Sequence, residues 1–327
     1  MDLPFTNIRQ VLSLHNKVSP EKIFLTTISD TGREELSYAE FSARCHQTAN
    51  FLQEDLGIKP GETVTIIDNR PGDFPVLLMG CWLIGALVSR SIDNRTKVCL
   101  LRDDNADMYK LMVETLDYVG AQLVQLDGSH TSNSDFYTLV RGMPNTFFNE
   151  YPEPTVDTLA YLSQSYDKAE EEQVVSQGLL LDTAERLTNA QMITGNQRLL
   201  TYMELGSRTY TNPVTLNTMA LFIAALLVGG SLIIDRRFYP HAQPEIFWRE
   251  VAASRLHIAC ISIEHIPKLI NFAREQQAAG KPIYGEGVYQ QDIQQLRHIY
   301  CPDAKGQENL IKQFTDIFPF PVVTNNG

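Results

Sequence analysis

Three side chains near the middle of the chain have the chemistry to hold a phosphate. Ser163, Ser165 and Lys168 follow the apolar run Leu159–Leu162, within the stretch LAYLSQSYDKAEEEQVV from Leu159 to Val175. Two hydroxyls and an ammonium beyond a strand are suitable donors, and nucleoside-triphosphate sites often add glycines whose backbone N–H groups cradle the phosphates. No glycine lies between Gly142 and Gly178. The turn reads Tyr166-Asp167-Lys168-Ala169-Glu170-Glu171-Glu172, with a net charge of −3 from Asp167 to Glu172. Each carboxylate ~4 Å from a phosphate oxygen costs on the order of 4 kcal/mol at an effective dielectric near 20, which offsets what the serines contribute. A solvated acidic loop is the expectation; a repurposed metal or cation site is the alternative.

Other chemistries find less support. His241, His257 and His265 are candidates for a different activity, but His257 and His265 flank an apolar strand and read as structural. No Ser/His/Asp or Cys/His arrangement assembles from the sequence, so no catalytic residue is assigned. The five cysteines (Cys45, Cys81, Cys99, Cys260, Cys301) include no CxxC pair and share no ligand spacing with the seven histidines. No metal site is therefore expected, and the thiols read as reduced in a cytoplasmic protein. The formal charge of −12 argues against nucleic acid and anionic membranes as partners. The N-terminus MDLPFTNIRQ lacks the pattern of a signal peptide. The uncharged segment Thr211–Ile234 is long enough to span a membrane, but Pro213, Gly229-Gly230 and the closing Asp235-Arg236-Arg237 make it a buried helix, a glycine turn and a short strand.

The elements that must position any site follow from periodicity. Ser37 and Glu40 form a capping box ahead of a helix whose apolar face is Tyr38, Phe41, Cys45, Ala49 and Leu52, with Gly57 as its stop. Val64, Ile66 and Ile67 mark a buried strand; Asp73 caps a helix that is apolar nearly all round, and an extended piece follows near Leu87–Ile92. MYKLMVETLDYVGAQLVQLDG gives a helix, a stop at Gly120 and a strand ending at Asp127; residues 128–156 form a long irregular connection. Ser176 caps a helix through Leu187. The strand SLIID, a helix around Ile246–Ala253, the strand HIACIS, a helix from Glu264 to Gln277, the strand RHIYC, a helix over Lys305–Phe314 and the strand PVVT complete the pattern. Alternation of this kind predicts an α/β protein with parallel or mixed sheets.

That succession resembles the N-terminal domain of the adenylate-forming superfamily: acyl-CoA synthetases, luciferases and peptide-synthetase adenylation domains. The matching stretches run in order from ELSYAEFSARCHQTANFLQEDLGIKPGETVTII through the apolar helix ending in Gly85-Ala86, VGAQLVQLDG, LAYL and LVGGSLIIDRRFYPHAQPEIFWREVAASRLHIACISIEHIPKLI to DIQQLRHIYCPDAKGQENLIKQFTDIFPFPVVTNNG. FWREV after an Arg-Phe-x-Pro stretch looks most like the fatty-acid and carnitine-type CoA ligases. The resemblance implies two packed sheet–helix subdomains, 57–196 and 1–56 plus 197–327, without the terminal barrel and C-terminal domain. It also implies a ligand crevice at strand carboxyl ends.

Position by position, the family's motifs are degenerate here. Its phosphate loop, roughly TSGTTGxPKG, falls on the stretch where Ser163, Ser165 and Lys168 are the suitable remnants. Its aromatic–His segment falls on ELGSRTYTNPVT, which holds Tyr210 but no histidine. Its Gly-Gly-Ala-like adenine turn becomes Pro302-Asp303-Ala304, where proline and aspartate remove the close backbone approach that glycines allow; a strand-to-helix turn capped by Asp303 is expected instead. Its Tyr-Gly-x-Thr-Glu motif begins at Asn326-Gly327, with no Thr or Glu after it. The resemblance thus implies a degenerate acyl-CoA synthetase-like domain, inactive alone and needing no cofactor, with an acyl group, a carrier protein or a cognate ligase as partner. The alternative is an ATP-dependent fatty-acid-type CoA ligase or acyl-AMP ligase, with ATP/AMP and Mg²⁺, whose other parts are missing or supplied in trans. A third reading is a newly acquired activity.

Overall fold

The run Leu159–Ser163 is a strand, and the chain returns antiparallel along it at Gln173–Ser176. The computed structural model describes residues 5–29, 32–68, 73–102, 106–126, 140–147, 150–163, 173–201, 212–235, 237 and 243–324. Its elements are, in chain order, α1 (Ile8–Val18), β1 (Ile23–Ser29), β2 (Gly32–Ser37), α2 (Tyr38–Asn50), β3 (Thr63–Asp68), α3 (Phe74–Leu83), β4 (Leu87–Ser89), β5 (Thr96–Arg102), α4 (Ala106–Val119) and β6 (Gln122–Gln125). After β7 (Leu159–Ser163) and β8 (Gln173–Ser176) come α5 (Gln177–Ala190), β9 (Arg198–Thr201), α6 (Asn212–Val228) and β10 (Ser231–Asp235). The chain closes with α7 (Pro244–Ala253), β11 (Ile258–Cys260), α8 (Ile266–Ala278), β12 (His298–Tyr300), α9 (Glu308–Thr315) and β13 (Val322–Val323).

The strands form two sheets, ordered β6-β5-β3-β4-β7-β8 and β13-β12-β11-β9-β10-β1-β2. The first is parallel from β6 to β7 and closes with the antiparallel β7–β8 pair, and the second is parallel from β13 to β1. This is the mixed α/β architecture that the sequence predicts. In the second sheet Leu199 of β9, Ile258 of β11 and His298 of β12 sit side by side. Parallel strands are covered on both faces, and β5 shows it: six of its seven residues are buried. Two of the helices are equally apolar. All ten residues of α3 are buried, and the run Met219–Leu226 of α6 is buried without interruption. Gly229, at φ +69°, ends α6 in the left-handed conformation open to glycine.

The cap signals at Ser37 and Ser176 hold, and the one at Asp73 does not. Ser37 and Glu40 close the capping box of α2, and the Leu179 N–H donates to Ser176 Oγ at 3.2 Å at the start of α5. Asp73 precedes α3 but its side chain makes no cap bond. Its carboxylate accepts from Arg102 Nη1 at 2.7 Å instead. Arg102 is 2% exposed; a buried guanidinium needs a counter-charge more than a helix end needs a cap.

The chain divides into two compact units: Met1–Lys22, Leu36–Glu185 and Leu205–Ile223 make one, and Ile23–Glu35, Arg186–Glu204 and Ala224–Gly327 the other. These bounds differ from the 57–196 and 1–56 plus 197–327 division expected from the sequence. Helices α1 and α2 group with the first unit because both pack on α3, while β1 pairs with β10 in the second. In the first unit Trp82 Nε1 donates to Ala160 O at 2.8 Å, and Phe41 meets Phe222 edge-on at 6.1 Å. The core of the second gathers around Trp248, with Phe247, Tyr284 and Phe318 within 5.0 Å between ring centroids.

Helices α2 and α3 meet at Gly80. A Cβ added there would lie 2.5 Å from Thr48 Cγ2 and 2.8 Å from Thr48 Cβ. Gly80→Ala is expected to lower stability by about 1–3 kcal/mol, and Thr48→Ser, which deletes Cγ2, to recover part of that loss. Urea denaturation of both single variants and the double variant measures the coupling; strict additivity overturns the close-contact account.

Candidate functional site

The phosphate-loop position is anchored at both ends by strand pairing. Ser163 is the last residue of β7 and lies opposite Gln173 of β8 in an antiparallel pair; residues 164–172 lie outside the described residues. Ser165 and Lys168 lie outside the described residues, as do Tyr210, His241, Asn326 and Gly327. The sequence-derived site residues are thus brought together in one described place only, the turn after β12.

Pro302, Asp303 and Ala304 occupy that turn at the carboxyl end of the strand. Pro302 is buried and Ala304 is 2% exposed. Asp303 does cap a helix, but not the one that follows it. Helix α9 begins beyond Gln307, which makes no side-chain cap bond. The Asp303 carboxylate turns across to the neighbouring strand, where Oδ2 accepts from Ser262 Oγ at 2.5 Å and Oδ1 from the Ile263 N–H at 2.8 Å. Those donors open the short 3₁₀ turn Ile263–His265 that leads into α8. The carboxylate therefore ties the carboxyl ends of β11 and β12 together. Burial holds the Cys260 and Cys301 thiols well above their usual range, and the Asp303 charge adds to it.

His257 and His265 are held by backbone. His265 is 1% exposed, and its Nδ1 lies 3.2 Å from Ser262 O; burial lowers its pKa. His257 Nδ1 accepts from the Arg198 N–H at 3.2 Å. Burial lowers its pKa, and the charges of Arg198 and Arg297 lower it further. His298, not singled out from the sequence, is 6% exposed, and burial together with Arg297 pushes it down to about 4. Among the described residues no group of His, Cys, Asp and Glu has the arrangement of a metal site.

A charged network at the carboxyl end of β10 also escaped the sequence reading. Asp235 is 1% exposed and accepts from Arg237 at 3.0 Å (Nε to Oδ1) and 2.8 Å (Nη2 to Oδ2). Arg237 Nη2 also reaches Glu250 Oε2 at 2.7 Å. Glu250 accepts in turn from Arg33 Nη1 at 3.2 Å and from Ser254 Oγ. The hydrogen bond to Asp235, more than any other contact, holds Arg237 in its charged form. Asp235-Arg236-Arg237 had marked only the end of an apolar segment. The pairing partner Glu250 is distant in sequence, so no local spacing announces it.

Residues 12–91 match the family of AMP-binding enzymes. No curated protein matches the chain in sequence. Solved structures match over almost its whole length. Apo MatB from Rhodopseudomonas palustris superposes with a TM-score of 0.75 at 15% identity, covering 98% of this chain and 60% of that one. ATP-bound MatB from the same organism gives 0.75 at 15%, with 97% and 59% covered. The fatty acyl-adenylate ligase from L. pneumophila, in complex with acyl adenylate and pyrophosphate, gives 0.71 at 13%, with 97% and 53% covered. The chain spans about 60% of the length of the MatB structures. At these identities the likeness is one of fold: that of the N-terminal domain of adenylate-forming ligases.

Two outcomes follow from this geometry. Asp303→Ala leaves the Ser262 hydroxyl and Ile263 N–H without their acceptor and is expected to cost about 1–2 kcal/mol in urea denaturation, with Asp303→Asn losing less. For His298 the folded pKa lies below the unfolded value near 6.5. The unfolded chain therefore binds more protons between pH 6.5 and about 4. Stability is full above pH 6.5 and falls by up to about 3 kcal/mol as pH drops through that window. His298→Leu should flatten that part of the stability–pH curve; an unchanged slope overturns the assignment.

Proposed function

We propose that this chain, which has the fold of an adenylate-forming ligase's N-terminal domain, does not itself adenylate and serves as a binding component. Its partners on this reading are an acyl chain, a carrier protein or a catalytically complete ligase. The observation that carries the reading is the turn Pro302-Asp303-Ala304. In the family it resembles, that turn offers glycine backbone to a flat base. Here a proline is buried in it, and the Asp303 carboxylate is committed to Ser262 and Ile263. A fixed carboxylate also opposes the phosphates of a nucleotide bound nearby. The acidic run of net charge −3 at the phosphate-loop position adds a second repulsion from an independent part of the sequence.

No cofactor is required on this reading. ATP, AMP and Mg²⁺ belong to the alternative, a fatty-acid-type CoA ligase or acyl-AMP ligase completed by other polypeptide. The match of residues 12–91 to AMP-binding enzymes favours that alternative. The working compartment we assign is the cytoplasm. All five cysteines are free and buried, and among the described residues no helix is long and apolar enough to cross a membrane.

Calorimetric titration of the chain with ATP–Mg²⁺ and with AMP, paired with thermal melting, separates the two. The expected outcome is no saturable heat and no rise in Tm at millimolar nucleotide. A micromolar site would stabilise the fold by about 4 kcal/mol at a thousandfold excess over Kd. Stabilisation of that size overturns the non-catalytic reading in favour of the ligase.

A further inference from the structure

At the amino ends of three adjacent strands of the second unit, the parallel register places three basic side chains in one row. Leu199, Ile258 and His298 are neighbours on β9, β11 and β12. The residues just before them, Arg198, His257 and Arg297, continue the row: the His257 N–H donates to Arg198 O at 3.0 Å, and the Arg297 N–H to His257 O at 2.8 Å. Neighbouring strands lie about 4.8 Å apart, so the outer two positions are separated by roughly 10 Å with the imidazole between them. Both arginines are exposed, and among the described residues neither forms an ion pair.

Like charges lined up across strands destabilise a sheet, yet in this chain of net charge −12 no carboxylate among the described residues pairs with either guanidinium. Each arginine instead spends one N–H on a carbonyl of a turn that leads into the row: Arg198 Nη1 on Ser254 O, before β11, at 3.0 Å, and Arg297 Nη1 on Met192 O, before β9, at 3.2 Å. A guanidinium has five donors, so most remain available. Because His257 Nδ1 accepts from the Arg198 N–H, the neutral ring carries its proton on Nε2, a further donor. The two loops are also backbone-strained. Met192 and Arg255, both at φ +48°, are the non-glycine residues with positive φ among the described residues. Conformations of that kind concentrate where a site is held in place.

We infer that Arg198, His257 and Arg297 form a binding site for the phosphate group of a small molecule. A phosphate dianion balances the two guanidinium charges and offers enough oxygens for forked donors on either side and an imidazole N–H between them. A single carboxylate leaves one positive charge uncompensated. The site lies at the opposite end of β12 from Asp303, so it is separate from the turn on which the proposed function rests.

The test is titration of the full chain with inorganic phosphate, following the His257 ring by NMR against sodium chloride of equal ionic strength. A saturable shift with a millimolar or tighter Kd is expected, absent with chloride. Arg198→Gln and Arg297→Gln should each weaken it at least fivefold. Should either glutamine variant fold poorly, Arg198→Lys and Arg297→Lys keep the charge but lose the fork, and a smaller weakening is expected of them. A His257 resonance that does not move, or that moves equally in the variants, overturns the site; so does acetate binding as tightly as phosphate. Arg198→Gln leaves Asp303 untouched, so phosphate binding lost in that variant bears on this site alone and leaves the nucleotide question to the other end of the sheet.

Discussion

A parallel sheet has to be covered on both faces, and most of this molecule follows from that requirement. Strands such as β5 bury nearly every side chain, so their polar residues are pushed to the ends or paired inside. Some of the helices that cover the sheets are not amphipathic in the ordinary sense. Helix α3 is buried at all ten positions, and its contact with α2 is so close that Gly80 has no room for a Cβ beside Thr48. The charged groups that Asp235, Asp303, Arg198 and Arg297 contribute accordingly stand at strand ends and in the turns beyond them.

The same requirement sets what was legible in the sequence. Amphipathic helices with caps, such as α2 and α5, announce themselves through period and polar start signals, and both begin where Ser37 and Ser176 place them. Helix α6 and β10 were legible because the glycine pair and the charges after it divide an otherwise uniform apolar run. Strands β1 and β5 carry no alternation, since both faces are buried, and a short apolar run without period gives no element boundary. For the candidate site, the loss of glycine at Pro302-Asp303-Ala304 could be read directly. What Asp303 binds could not, because Ser262 is some forty residues earlier in the chain and only sheet pairing brings the two together. Asp73 failed as a cap for the same reason: its partner Arg102 arrives through the fold.

In the second unit the charges separate along the strands. Asp235 and Asp303 stand at carboxyl ends of β10 and β12, each engaged by donors from a neighbouring element. Arg198 and Arg297 stand at amino ends of β9 and β12. Sheets have little net dipole, so the backbone does not impose this division; it is a property of the side chains this sequence puts there. The carboxylates at one end are satisfied internally by Ser262, Ile263 and Arg237. The cations at the other hold loop carbonyls with only part of their donor set. One end is closed by its own hydrogen bonds, and the other keeps donors facing outward.

The pairing of β1 with β10 sets a schedule for the chain's synthesis. Leu25 lies beside Leu232, and Ser231 Oγ donates to Ile23 O at 2.6 Å. The amino-terminal strand therefore leaves the ribosome roughly two hundred residues ahead of its neighbour. At about 5–20 residues per second that is a wait of some 10–40 s. During that interval Phe24, Leu25 and Ile28, all buried in the finished sheet, have nothing of the second sheet but β2 to rest on. A strand left waiting so long, with its pairing edge unfilled, is where a nascent-chain chaperone would be most needed, and where a slow codon in the second half of the message would do the most harm.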